Sequence, residues 1–267
     1  MGLRLAWCTD IHLDFLEDAG IERLCEEILG KSPDAVLLGG DISVAPRLEE
    51  HLSLLEMRLR RPIYFVLGNH DFYGGSIDRV RAGVQRLCRA SQWLRWLPDE
   101  GVIRLSDKTA LIGHDGWGDG RLGAGSASRV LMTDFYAIED LAGLEDGDRF
   151  SRLAALGDEA AAHFRRALPE ALDRFDRVVL LTHVPPFRES CWHEGQISSD
   201  DFLTHFTCKA AGDTLREVME SRRDRDLMVL CGHTHGRGEV EILPNLKVVT
   251  GGAEYGKPEI QRLIEVQ

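Results

Sequence analysis

No stretch of this 267-residue sequence approaches the roughly 20 consecutive apolar residues that cross a bilayer as a helix, so no membrane span is expected. The opening residues, "MGLRLAWCTDIHLDF", do not read as a secretory leader, because the apolar run is short and charge follows at once. They do not read as a myristoylation signal either: Ala6 stands where Ser or Thr is required. Cysteine is sparse. The six cysteines (Cys8, Cys25, Cys88, Cys191, Cys208, Cys231) are scattered without a C-x-x-C pair. That excludes a disulfide framework and predicts reduced core thiols in a cytoplasmic protein. Positive charge is scarce too, with 32 Lys and Arg against 44 Asp and Glu and a formal net charge of −12. A dense basic stripe of the kind nucleic acid attracts is missing. With no internal repeat, low-complexity linker or composition shift, one domain over residues 1–267 is expected.

Short apolar runs rich in β-branched residues alternate with helical patterns. "LRLAWC" (3–8), "AVLL" (35–38), "IYFVL" (63–67), "RVVLL" (177–181) and "LMVLC" (227–231) read as buried strands. Leu48, Leu52, Leu55 and Leu59 fall on one helical face, as do Ile77, Val80, Val84 and Leu87, and Leu215, Val218 and Met219. Strand–helix alternation predicts an α/β fold with mostly parallel strands. Residues 100–113 read as a hairpin turning at Ser106-Asp107-Lys108, and the C-terminal stretch as an antiparallel finish. Two loop-rich insertions, near 114–129 and 183–206, each follow a strand. Ligands of open α/β sheets sit beyond the carboxyl ends of strands.

The polar residues concentrate at those ends. Asp10 and His12 follow the first strand, Gly40-Asp41 the second, and Gly68-Asn69-His70-Asp71 the third. Thr182-His183 follows "RVVLL", and Gly232-His233-Thr234-His235 follows "LMVLC". In extended backbone, residues i and i+2 point the same way, so Asp10 with His12 and His233 with His235 are each expected to converge. Carboxylate, imidazole and amide oxygen suit Mn, Fe, Zn or similar divalent ions rather than a thiolate site. Four His and two Asp exceed one tetrahedral site, so two metals sharing a carboxylate are expected, with Asp41 as the bridge.

In this order, D-x-H, G-D, G-N-H-D, a lone H and G-H-x-H resemble the calcineurin-like metallophosphoesterase superfamily, over a span from Asp10 to His235. The resemblance implies a four-layer α/β/β/α sandwich with two mixed sheets and a dinuclear centre. Carried over by motif, it implies that Asp10, His12, Asp41 and His235 hold one metal. Asp41, Asn69, His183 and His233 would hold the other, and His70 would be the catalytic histidine. Mn is the expected metal, with Fe or Zn as alternatives. Asp71 is left between orienting His70, orienting a loop and capping the next segment.

Two divalent ions about 3.5–4 Å apart acidify a bridging water and clamp phosphoryl oxygens. A bridging hydroxide is therefore expected to attack phosphorus, with His70 as the general acid. The expected substrate is a small phosphomonoester or phosphodiester. A nuclease is the main alternative, and a non-catalytic protein-binding scaffold a more distant one, since every ligand is in place. Protein phosphatases of the superfamily usually carry G-N-H-E and an arginine after G-D; neither occurs here. No protein partner is implied. The pattern Gly118-Asp119-Gly120-Arg121-Leu122-Gly123 matches a dinucleotide fingerprint, but "AGSASR" follows where an apolar helix should open, so a loop is expected. The two loop-rich stretches are expected to wall the substrate pocket, with Trp117 and Trp192 offering flat surfaces and His114, Arg121, Arg188 and His193 offering donors.

Overall fold

The computed structural model describes residues 2–267. The chain runs β1 (Leu3–Cys8), α1 (Asp18–Gly30), β2 (Ala35–Gly39), α2 (Ala45–Leu59), β3 (Ile63–Val66), α3 (Ile77–Ala90), β4 (Leu94–Trp96) and α4 (Leu97–Glu100). There follow β5 (Ile103–Arg104), β6 (Thr109–Gly113), α5 (Asp134–Ala137), α6 (Asp146–Arg174), β7 (Arg177–Leu181), β8 (Trp192–His193), β9 (Gln196–Ile197) and α7 (Asp200–Phe206). The last elements are α8 (Lys209–Ser221), β10 (Asp226–Cys231), β11 (Gly238–Leu243), β12 (Leu246–Thr250) and β13 (Arg262–Val266). One sheet has the order β13-β1-β2-β3-β4 and the other β11-β12-β10-β7-β6-β5. Both are mixed: β1 to β4 are parallel with β13 antiparallel, and β12, β10, β7 and β6 are parallel with β11 and β5 antiparallel at the edges.

Strand alternation sorts the apolar residues into three layers of core. Leu5, Trp7, Leu37 and Val66 meet Leu111, Val179, Leu181 and Leu230 between the sheets. The opposite face of the first sheet, including Ala6, Cys8, Val36 and Leu38, buries Ile21, Leu24, Leu48, Leu52 and Ile77 from α1, α2 and α3. The outer face of the second sheet, including Ala110, Ile112, Val178 and Leu180, buries Phe164, Leu168, Leu172, Leu215 and Met219 from α6 and α8. Helices, sheet, sheet and helices therefore form the expected four-layer sandwich. The strands are apolar on both faces because both faces are covered.

Two local expectations change and one holds. The C-terminal finish is only partly antiparallel: β12 pairs parallel to β10, and β13 crosses to the other sheet beside β1. The 183–206 stretch is not all loop, because it carries the β8–β9 hairpin and α7. Residues 114–129 do lack strand and α-helix, and no apolar helix follows the glycine pattern at 118–123.

Candidate metal centre

The parallel strands of both sheets end at one rim of the sandwich, and their exit loops bring the polar residues together. Asp10 and His12 leave β1, Asp41 leaves β2, and Asn69 and His70 leave β3. The second sheet contributes His183 after β7 and His233 and His235 after β10. The exits are not extended. Asp10, His12, Asp41, His233 and His235 all have positive φ, between 41° and 70°. Left-handed backbone costs a non-glycine residue about 1–2 kcal/mol, so five such residues at one rim mark a site that the surrounding fold holds under strain. The expected i, i+2 convergence holds for Asp10 and His12, which share one cluster, and is corrected for His233 and His235, which turn into different clusters. Glycine permits the close approach. A Cβ on Gly232 would overlap the Asp10 carboxylate and the Thr9 hydroxyl, and one on Gly68 would overlap the Asp41 carboxylate.

Two donor sets result. Asp10, His12, Asp41 and His235 present ligand atoms within 4.8 Å of one another, as do Asp41, His183 and His233. His12 Nε2 and His235 Nε2 stand 3.2 Å apart, and His235 Nε2 lies 3.5 Å from Asp10 Oδ1. Asp41 faces both sets with different atoms. Its Oδ1 is 3.4 Å from His183 Nε2 and its Oδ2 is 3.9 Å from His12 Nε2. The backbone N–H of His70 donates to Asp41 Oδ1 at 2.9 Å, and that of His233 to Asp10 Oδ1 at 2.9 Å.

Outer hydrogen bonds aim the second set. His183 Nδ1 lies 2.8 Å from the Gly39 carbonyl, which takes the Nδ1 proton and leaves the Nε2 lone pair pointing inward. His233 Nε2 lies 3.2 Å from the His205 carbonyl, leaving the Nδ1 lone pair inward. Asn69 Nδ2 donates to Asp134 Oδ1 at 2.8 Å and to Tyr73 Oη at 3.1 Å. Its Oδ1 is thereby turned toward His183 Nε2, at 3.2 Å, and His233 Nδ1, at 2.9 Å. Three acceptors and the Asp41 carboxylate thus face one another with no donor fixed between them. Only a proton or a cation reconciles that arrangement, so the donor set fits a divalent ion. Burial lowers His12 to about 4 and His233 to about 3, keeping both as neutral imidazoles at pH 7. Burial also acts to lower His183, but the Asp41 carboxylate outweighs it and pushes the imidazole up to about 10.

A cleft of about 290 Å³ opens over both sets. Asp41, Asn69, His70, His233 and His235 form its floor, and Tyr73, Val130, Leu131, Met132, His193, Phe202, Phe206 and Tyr255 are among its walls. His70 is stacked on Tyr73 (centroids 4.3 Å apart) and its Nε2 lies 4.0 Å from Asp41 Oδ2. Asp71 turns away from the cleft. It accepts backbone N–H groups from Ile42, Ser43 and Gly68 at 2.8–2.9 Å, tying the β2 exit to the β3 exit.

Of the six residues expected to wall the pocket, His193 is the one that lines this cleft. The other five are corrected by their surroundings. His114 is buried against His163 and Phe164, and its Nδ1 accepts the Gly116 N–H. Trp117 is buried with its ring 5.6 Å from Phe72. Arg121 forms a bidentate pair with Asp158, and Arg188 pairs with Asp200. Trp192 lies against Gly238, whose missing Cβ makes room for its ring. The 183–206 stretch does wall the cleft, through His193 and the α7 residues Phe202 and Phe206, whereas 114–129 does not; the other walls come from residues 130–133 and Tyr255, and the support of Asn69 from Asp134 and Tyr73. A single Asp in an aperiodic stretch gives no sequence signal for that role.

A family model of calcineurin-like phosphoesterases matches residues 3–237. No curated protein matches the sequence. Among solved structures, the chain resembles the phosphopantetheinyl hydrolase of Mycobacterium tuberculosis at 18% identity and a TM-score of 0.65, over 99% of this chain and 96% of that one. It also resembles a dimetal phosphatase from Danio rerio at 11% identity and a TM-score of 0.59, over 94% of this chain and 87% of the other. At these identities the likeness speaks for the fold. With the ordered strand-end motifs, the two mixed sheets and a family match over most of its length, this chain belongs to the calcineurin-like phosphoesterases.

Proposed function

We propose that this phosphoesterase uses two divalent metal ions, Mn in the first instance, to hydrolyse a small phosphomonoester or phosphodiester. The observation that carries the reading is the convergence of acceptors: Asn69 Oδ1 lies 3.2 Å from His183 Nε2 and 2.9 Å from His233 Nδ1, with Asp41 Oδ1 3.4 Å from His183 Nε2. Asp10, His12, Asp41 and His235 would hold one ion; Asp41, Asn69, His183 and His233 would hold the other. When bound, such ions acidify water and neutralise phosphoryl oxygens.

The remaining steps belong to the chain's own groups. His70 is anchored by its backbone bond to Asp41 and by Tyr73, and its ring reaches the cleft without belonging to either donor set. It donates a proton to the leaving oxygen as the bond from phosphorus to that oxygen breaks, while water supplies the new oxygen on phosphorus. Two named neighbours, a dimetal phosphatase and a phosphopantetheinyl hydrolase, are in keeping with this chemistry. The cleft is lined by no Lys or Arg, which disfavours a nuclease. Ligands arrive from both sheets, which supports reading the chain as one domain. All six cysteines are free thiols, consistent with a reducing compartment such as the cytoplasm.

The test is turnover of para-nitrophenyl phosphate and bis-para-nitrophenyl phosphate by Mn²⁺-reconstituted protein. Metal-dependent hydrolysis of at least one, abolished by chelation and restored by Mn²⁺, is expected. Metal-loaded protein that hydrolyses neither, nor any wider set of phosphoesters, contradicts the proposal.

A further inference from the structure

The walls of the cleft differ in character from its floor. Among the described residues, seven large apolar side chains are more than a third exposed. Three of them, Leu131 (72%), Phe202 (38%) and Tyr255 (47%), line this one cleft. A fourth, Phe15, has its ring 4.6 Å from that of Tyr255. Single exposed apolar residues are ordinary on a protein surface, but a cluster at the mouth of a site points to a ligand.

The aromatic groups flank both donor sets. Tyr255 lies 4.6 Å from the His12 ring and 5.1 Å from the His235 ring. Phe206 lies 5.1 Å from His233 on the other side, with Phe202 5.3 Å beyond it. Val130, Leu131 and Met132 close a further wall. Cations near the cleft are engaged elsewhere or turned outward. Arg188 pairs with Asp200, Arg237 with Glu259 and Lys257 with Glu254. Arg129, next to Val130, is exposed and does not line the cleft. A second phosphate or a carboxylate on the substrate would be desolvated against Phe and Leu with no Lys or Arg to pair with it and His193 as the one imidazole on the walls, which is costly. The cleft is also at the small end of ligand sites, which run from about 300 Å³ upward.

We infer that the substrate is a phosphoester whose organic group is uncharged and apolar, an aryl ring or a short alkyl chain, held between residues 130–132, α7 and Tyr255. This deepens the proposed phosphoesterase reading and rests on it. Bisphosphates, nucleoside polyphosphates and acidic phosphopeptides are excluded as good substrates.

Phenyl phosphate and para-carboxyphenyl phosphate separate the possibilities. The carboxylate makes the second compound's leaving group the better one, so intrinsic reactivity opposes the expected order. The Mn²⁺-loaded protein should prefer phenyl phosphate in kcat/KM by about tenfold, the low end of discrimination in apolar pockets. Leu131→Lys, at an exposed position where folding is not at risk, should erase or reverse that preference. Phe202→Ala should weaken inhibition by phenylphosphonate about tenfold while leaving inhibition by inorganic phosphate unchanged. Equal use of both substrates by the wild type, with no change of preference in Leu131→Lys, overturns the inference and leaves the phosphoesterase reading standing. Metal-loaded protein inactive on both compounds, and on every other phosphoester, overturns that reading and this inference with it.

Discussion

The most informative single residue outside the donor sets is Asp134. Its buried Oδ1 accepts from Asn69 Nδ2 at 2.8 Å and from Tyr73 Oη at 2.6 Å. An Asn amide is nearly symmetric in shape, and these bonds decide which end faces the histidines. Turned over, the amide would point its NH₂ at His183 Nε2 and His233 Nδ1 and satisfy both lone pairs without a metal. Asp134→Ala removes the acceptor that prevents this. It leaves Asn69 Nδ2 with only Tyr73 Oη at 3.1 Å. A hydrogen bond to a charged group is worth about 1.5–3 kcal/mol, and loss of a residue that orients a ligand typically costs about 10–100-fold in metal affinity. The two scales agree, since about 1.4 kcal/mol is a factor of ten. Asp134→Ala should therefore weaken the ion held by Asn69, His183 and His233 by about 10–100-fold, with a smaller effect on the ion beside Asp10 and His12. Asp134→Asn keeps an acceptor oxygen and should lose less than Asp134→Ala. Competition between the protein and a fluorescent Mn²⁺ chelator reads both affinities, with thermal unfolding as the control for folding. Two unchanged affinities in a folded Asp134→Ala protein would refute the positioning role.

Other consequences are equally open to measurement. His70→Ala should retain its metals yet lose at least about a hundredfold in kcat, the low end for general acid–base catalysis; unchanged kcat on an ester with a poor leaving group counts against the assignment. Gly232→Ala places a methyl group on the Asp10 carboxylate and should weaken metal binding by about tenfold or more in a protein that still folds, as read by elemental analysis after dialysis. His114 is fully desolvated, and burial lowers its pKa from 6.5 to about 3. Its folded-state pKa lies below the unfolded one, so the stability it supports is complete above pH 6.5 and is lost as pH falls toward 3. By pH 4.5 the loss is about 2–3 kcal/mol at about 1.4 kcal/mol per unit. His114→Gln should flatten the fall in unfolding free energy between pH 6.5 and 4.5 in urea titrations while leaving substrate selectivity alone. An unchanged pH slope removes His114 from that role.

The fold was legible because each ligand follows a strand that is buried on both faces, so "IYFVLGNHDF" shows an apolar run and its polar stop side by side. The glycines before Asp41, Asn69 and His233 also carried a readable reason, since a Cβ at Gly40 would lie 2.6 Å from His183 Nδ1. What stayed hidden was set by tertiary contact. The left-handed turns at His233 and His235 leave no trace in residue type, so alternation along an extended strand was the natural guess and failed there, although Asp10 and His12 do converge. Asp134 and Tyr255 lie 65 and 243 residues from the groups they meet, Asn69 and His12 respectively. Trp117, Arg121, Arg188 and Trp192 have the chemistry of pocket residues, but burial and ion pairs claim them first. Helix α6 went unread in the sequence, because Ala160, Ala161, Ala167 and Ala171 supply much of its buried face and Pro169 inside it reads as a stop.

Asp41 is the residue on which a two-metal centre stands or falls, since its Oδ1 faces His183 and its Oδ2 faces His12. The measurement is elemental analysis of wild-type, His12→Ala and Asp41→Asn protein after reconstitution with excess Mn²⁺ and removal of free metal. Two ions per chain in the wild type, about one in His12→Ala and fewer than one in Asp41→Asn are expected if a shared carboxylate joins the sites. A wild-type chain that holds at most one ion, or an Asp41→Asn chain that still holds two, contradicts the dinuclear centre.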